Sequence, residues 1–227
     1  MLVAGFPAGP PQTNCWVLAP AAGEECVVVD PGIEAAAPLD ELLTEHRLRP
    51  VAVLLTHGHI DHTFAVVPVC GARGIPAWIH PADRHQLADP ASGLGLPPGS
   101  PLFGGLTFAE PDDLRLLDDG TELALAGLTL LVEHAPGHTP GSVVFRSGDL
   151  LFSGDLLFAG SIGRTDLPGG DPQAMVESLA RVCLPLPDET RVAPGHGPTT
   201  TIGAERTSNP FLTELVGPAA GPSGRRD

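Results

Sequence analysis

What most restricts the folding of this chain is a pattern that it repeats: an apolar run, a turn of small residues, then a histidine or an aspartate. "VAVLLTHGHIDH" shows it first, with an apolar run from Val51 to Leu55 followed closely by His57, His59, Asp61 and His62. It returns in "LTLLVEHAPGH", ending at His138, in "DLLFSGD", ending at Asp155, and in "TRVAPGHG", which carries His196. A short apolar run without alternation reads as a strand buried on both faces. A chain that ends several such strands in ligand-type side chains must gather those ends at one place. Gly137, Gly154 and Gly195 stand directly before His138, Asp155 and His196, where a residue without Cβ lets the backbone approach a shared site.

The rest of the chain supplies strands with helices between them. "CWVLAP" and "ECVVVDPG" are expected to pair antiparallel across the "AAGE" turn. Leu39, Leu42 and Leu43 share one face of "PLDELLTEHR", which predicts a short amphipathic helix. "HTFAVVPVCGARG" predicts a helix interrupted or bent at Pro68 and ended by Gly74, and "PADRHQLA" a helix with Pro81 in its first turn. "SVVFRSG" adds a strand, Asp171 caps a helix that begins at Pro172, and "GAERTSNPFLTELV" predicts one terminal helix. Each half thus holds several strands flanked by helices, and the economical α/β arrangement is two sheets packed face to face with helices outside. One domain is expected over residues 1–216, with 217–227 as a disordered tail.

Composition removes several function classes. The formal net charge is -15, and all 12 basic residues are arginine. A phosphate-backbone binder relies on clustered cations, so no nucleic-acid partner is expected. Without lysine there is no Schiff-base chemistry and no lysine general base. No apolar stretch reaches the roughly 18 residues of a membrane span, and the N-terminus lacks the basic and apolar regions of a secretory signal. The four cysteines, Cys15, Cys26, Cys70 and Cys183, form no Cys-x-x-Cys pair and are expected to be buried free thiols in a reducing cytoplasm.

The histidine-rich turn then points to metal. One divalent cation takes three or four nitrogen or oxygen ligands, so His57, His59, Asp61 and His62 suit two adjacent cations better than one. Adding the distant strand ends gives His57, His59 and His138 for one cation and Asp61, His62 and His196 for the other, with Asp155 between them. Imidazole and carboxylate ligands suit zinc, with iron or manganese as alternatives.

The combined pattern, His-x-His-x-Asp-His, then Pro-Gly-His-Thr, Gly-Asp and Pro-Gly-His, resembles the metallo-β-lactamase superfamily. "QTNCWVL", "VVVDPG", "SIGRTDLPGGD", "APGHGPTTTIG" and "NPF" are similar to segments of the small glyoxalase-II-like hydrolases. The resemblance implies an αββα four-layer sandwich with two metals at one edge, and hydrolysis of a small-molecule thioester by a metal-bridging hydroxide. A mononuclear iron persulfide dioxygenase, which shares the "GRTD" turn, is the alternative. Outside the seven ligands, Asp30 is either a brace for a ligand or an ordinary turn aspartate. His134 is a packed or bracing histidine, and Arg164 with Asp166 either braces the site or is an ion pair holding a turn. His46, His80 and His85 are expected to be structural or at the surface. The Gly- and Pro-rich stretch from Asp89 to Asp113 carries Leu94, Leu96, Leu102, Phe103, Leu106 and Phe108. It is expected to pack near the metal edge and shape the substrate pocket.

Overall fold

Each apolar run becomes a strand, and the strands collect into two sheets. The computed structural model describes residues 1–216; the expected tail lies outside the described residues. The first sheet holds β1 (Leu2–Ala8), β2 (Thr13–Ala19), β3 (Glu25–Val29), β4 (Arg49–Leu54), β5 (Ala77–Ile79) and β6 (Leu114–Leu116), side by side in that order. The second holds β7 (Glu122–Leu125), β8 (Leu128–His134), β9 (Val143–Ser147), β10 (Leu150–Gly154), β11 (Arg191–Pro194) and β12 (Thr200–Thr201), again in sequence order. Both sheets are mixed: β2 pairs antiparallel with β3 as expected, β3–β4–β5–β6 run parallel, and β10 and β11 are the parallel pair of the second sheet.

Strand alternation sorts the apolar side chains into three layers of core. Leu18, Val27, Val29, Leu54, Phe145 and Phe152 fill the space between the sheets. Their neighbours Val17, Val28 and Val53 point outward, under α1 (Ala36–His46) and α3 (Val66–Arg73), whose Leu39, Leu43, Val66 and Val69 meet them. On the far side Val144, Leu151 and Val192 meet Met175 of α5 (Pro172–Ser178), Ile202 of α6 (Ile202–Ser208) and Leu212 of α7 (Pro210–Val216). The result is the αββα sandwich. Each fully buried Leu or Phe stabilises it by about 1.5–3 kcal/mol. All four cysteines are free and buried. Among the described residues no helix is long and apolar enough to cross a membrane.

Several helix boundaries differ from expectation. The helix after His59 breaks at Phe64–Ala65, giving a short α2 (Ile60–Thr63) and then α3. Pro68 falls in the first turn of α3, where its missing N–H costs nothing, while Gly74 ends that helix in the left-handed region as expected. Residues 81–84 form turns, and helix α4 begins only at His85 (His85–Ala88). The terminal helix is two helices, because Asn209 precedes Pro210 and takes an extended backbone (φ -76, ψ 120).

Candidate metal centre

The site grows out of the ends of β4, β8, β10 and β11. Beyond β4 the chain turns through buried His57 and Gly58, and His59 becomes the N-cap of α2, which puts Asp61 and His62 on its first turn. The β8–β9 connection supplies His138, the residue after β10 is Asp155, and the turn after β11 presents His196. The chain is thereby folded so that all seven expected ligand-type residues meet. His57, His59 and His138 form one group, His57, His62 and Asp155 a second, and Asp61, His62 and His196 a third, with donor atoms inside each group within 4.8 Å of one another. Asp155 joins the outer groups, 3.4 Å from His138 Nε2 and 3.3 Å from His62 Nε2.

Outer contacts fix how most of the rings face. His62 Nδ1 lies 2.9 Å from Asp30 Oδ2, His138 Nδ1 2.7 Å from the carbonyl of Arg164, and His196 Nδ1 3.2 Å from the carbonyl of Pro11. Each outer nitrogen therefore donates, which directs the other nitrogen of the ring into the cluster. Burial, reinforced by the surrounding imidazoles, holds His57 well below the usual histidine range. Burial, with His138 and His62 adding to it, lowers His59 to about 4. His62 goes the other way: burial favours its neutral ring, but Asp155, Asp61 and Asp30 push it well above the usual value. Burial opposes ionisation of Asp61 and Asp155 too, yet His62 and its neighbours keep both carboxyls below their ordinary range. Near neutral pH the cluster thus offers uncharged imidazole lone pairs on one side and ionised carboxylates through its middle.

These residues fit divalent cations. The buried Nε2 of His57 and Oδ1 of Asp155 have no hydrogen-bond partner, and such an atom costs about 1–3 kcal/mol when left unsatisfied; His59 turns its Nδ1 inward, 2.8 Å from His138 Nε2. Two such atoms and the inward Nδ1 of His59, in a donor set of imidazoles and carboxylates, are what a bound zinc, iron or manganese ion satisfies. The cluster floors an open cleft of about 420 Å³, whose wall is made by Phe158, Ile162, Arg164 and Leu167. That volume suits a small molecule.

The residues expected to brace the ligands divide. Asp30 touches the cluster directly: its carboxylate accepts from the backbone N–H of Thr56 at 2.8 Å and the Thr56 hydroxyl at 2.6 Å while meeting His62. It sits at φ 51, a left-handed conformation that aspartate tolerates better than most residues. His134 touches no ligand. It stacks on His80 at 4.3 Å and meets the carbonyl of Pro140. Arg164 and Asp166 do form the expected exposed ion pair, and only the Arg164 backbone carbonyl contacts a ligand. His46 is half-buried at the end of α1, and His85 is exposed.

Two features escaped the sequence. Asp83, fully buried, accepts from the Gly58 N–H at 2.9 Å, the Thr139 hydroxyl at 2.6 Å and the Gly141 N–H at 2.8 Å. It ties the turn bearing His57 and His59 to the turn bearing His138. On the opposite side Thr13 donates to Asp61 at 2.9 Å, and Asn14 and Trp16 both donate to the carbonyl of Pro194, beside the turn of His196. We expect Asp83→Asn, which turns an amide donor toward these donors, to cost about 2–3 kcal/mol. It should lower Tm by about 4–12 °C and weaken metal binding about 10–100-fold. Thermal melts and metal titration of the purified variant check this; an unchanged metal affinity would remove Asp83 from the site's support.

The 89–113 stretch does not shape the cleft as expected. Only its start comes near, where a Cβ on Gly93 would lie 3.0 Å from the His59 ring. Phe103 and Phe108 instead pack on Phe64, and Leu94, Leu96, Phe103 and Leu106 remain exposed. The glycines and prolines stop this segment from laying a continuous apolar face against the domain. Removing residues 97–101 should therefore leave both metal content and substrate ranking at parent values. A changed ranking in steady-state kinetics would return the loop to the pocket.

Comparison with known proteins agrees with the geometry. The family model described as the metallo-β-lactamase superfamily matches residues 8–196, and the chain belongs to that metal-binding superfamily. It is 48% identical over 223 residues to an uncharacterized protein of Mycobacterium tuberculosis, covering 95% of this chain and 99% of that one. It is 36% identical over 201 residues to the hydroxyacylglutathione hydrolase GloC of Haemophilus influenzae, covering 83% and 88% respectively. Among solved structures, BLEG-1 B3 metallo-β-lactamase superposes with a TM-score of 0.83 at 45% identity, over 93% of this chain and all 100% of the other. TTHA1623 in a di-iron-bound form gives 0.77 at 42%, over 92% and 100%.

Proposed function

We propose that this protein is a dinuclear metal-dependent hydrolase of small-molecule thioesters, similar in reaction to the hydroxyacylglutathione hydrolases and acting in the cytoplasm. His57, His59 and His138 would hold one divalent cation, Asp61, His62 and His196 the other, with Asp155 shared; zinc suits the set, and iron or manganese also fits. When bound, such ions supply Lewis acidity toward a carbonyl and a water acidic enough to serve as hydroxide near neutral pH. The chain's own contribution is positioning. Asp30 orients the His62 ring, Thr13 holds the Asp61 carboxylate, and Phe158, Ile162 and Leu167 keep water from one side of the cleft.

One observation supports a thioester in particular. Among the described residues, every proton donor lining the cleft belongs to the cluster, except Arg164, a guanidinium paired with Asp166. An amine leaving group needs a proton as it departs, whereas a thiolate, with a conjugate acid near pKa 8.5, does not. The name of the similar BLEG-1 structure supports a second reading, β-lactam hydrolysis, in which the leaving group is an amine. A panel decides between them: glutathione and N-acetylcysteamine thioesters, a penicillin and a cephalosporin, and a persulfide in an oxygen electrode, with metal content measured on the same sample. The expected result is thioester kcat/KM on the order of 10⁴ M⁻¹s⁻¹ or more and β-lactam turnover about a hundredfold lower. Faster β-lactam cleavage, or oxygen uptake with the persulfide and no hydrolysis, would sink the proposal.

A further inference from the structure

The wall of the cleft is unusually fixed for a loop. Beyond Asp155 the chain makes a tight turn, in which the Phe158 N–H donates to the Ser161 carbonyl at 2.9 Å. Two buried side chains from the end of the molecule grip that turn. Glu205 accepts from the Gly160 N–H at 2.7 Å and from the Thr200 hydroxyl at 2.6 Å. Asn209 donates to the carbonyls of Phe158 and Ser161 at 3.3 and 3.0 Å and to Glu205 at 2.9 Å. A buried, fully partnered network of this kind rigidifies what it holds. Its effect is to set the half-buried Phe158 ring edge-on to the His196 imidazole, at 5.8 Å and 89°. Ile162 and Leu167 extend the same apolar wall, and among the described residues no hydroxyl or amide side chain lines the cleft. The wall's one charged group, Arg164, is 61% exposed at the mouth.

We propose that Phe158, positioned by Glu205 and Asn209, determines specificity, and that the thioesters selected carry an extended apolar acyl group rather than a small hydroxyacyl group. This rests on the thioester reading above. A reacting carbonyl must lie against the cluster, so the first acyl carbons meet Phe158 beside His196, while a solvated thiol carrier is left the outer cleft near Arg164. An apolar wall of Phe158, Ile162 and Leu167 gains nothing from a substrate hydroxyl laid against it. It gains from each buried methylene, about three- to fourfold in kcat/KM.

The test uses the metal-loaded protein with N-acetylcysteamine thioesters from acetyl to hexanoyl, plus a lactoyl and propionyl pair corrected for their rates with free hydroxide. We expect kcat/KM to rise about three- to fourfold per methylene, and the lactoyl preference to stay within about tenfold. Phe158→Ala should flatten the chain-length slope with metal per chain unchanged, Phe158→Leu should restore most of it, and Asn209→Ala should lie between. A flat slope in the parent, a slope that survives in Phe158→Ala, or a lactoyl preference well above tenfold overturns the inference while leaving thioester hydrolysis standing. Absence of turnover with every thioester overturns both. Should Asn209→Ala fail to fold, the two Phe158 variants still decide.

Discussion

Asp155→Ala is expected to empty both cation positions together and to lower activity about a thousandfold or more, since losing a single electrostatic contact in a reaction centre already costs about 10²–10³. The carboxylate stands 3.4 Å from His138 Nε2, 3.3 Å from His62 Nε2 and 3.6 Å from His196 Nε2, so it touches both halves of the cluster. Removing it also removes negative charge that offsets His62 and His196, whose imidazoles are raised above their usual range despite burial. His134→Ala is the matched control, because that ring stacks on His80 and contacts no ligand. Elemental analysis of both variants should give below about 0.2 metal per chain for Asp155→Ala, given metal binding that depends on ligand count, and parent values for His134→Ala. Equal loss in both would mean that His134 belongs to the site and that the geometry above is misassigned.

Gly195→Ala should be nearly as damaging, although it adds one methyl group and removes nothing. A Cβ at position 195 would lie 2.2 Å from Asp155 Oδ1 and 2.7 Å from His62 Cε1, far inside van der Waals contact. The backbone there cannot retreat, because the Gly195 N–H bonds to the carbonyl of Gly154 at 2.8 Å and its own carbonyl accepts from Asn14 at 2.7 Å. The methyl must therefore displace the carboxylate or the ring. We expect metal content to fall below about half, with activity down about 10²-fold or more, the scale of a misplacement near 1 Å. Overpacking should lower stability by about 1–3 kcal/mol. Circular dichroism, thermal melts and metal analysis on one preparation separate these effects; full metal occupancy would show that position 195 does not need to be glycine.

What was legible in the chain was whatever carried a local signature. His57 through His62, and the Gly-His and Gly-Asp turns of His138, Asp155 and His196, could be read because a strand end and its turn lie within a few residues of each other. Asp83 could not. Its three partners are 25, 56 and 58 residues away, and "PADRHQ" has the composition of an ordinary helix start. Strand β1 was missed because Gly5 and Pro7 are poor strand residues, tolerated since β1 lies at the sheet edge. Strand β12 is too short for any periodicity, only Thr200 and Thr201. The 89–113 stretch misled for a different reason: its apolar residues suggested cover for the site, but Phe103 and Phe108 found Phe64 instead, beside α2. Sequence pattern says that an apolar side chain will seek a partner; it does not say which.

The cluster also takes side chains from both layers of the sandwich, His57, His59, Asp61 and His62 from the first and His138, Asp155 and His196 from the second. That makes it a mechanical clasp as well as a chemical centre. A slip of one sheet along the other by a single residue, about 3.3 Å, would pull His59 away from His138, which it now meets at 2.8 Å. Alignment between the sheets is thus held at this rim, and a cation seated there would lock it further. Chain insertions should be tolerated in the largely exposed 95–107 segment, and resisted wherever they change the offset of one layer against the other.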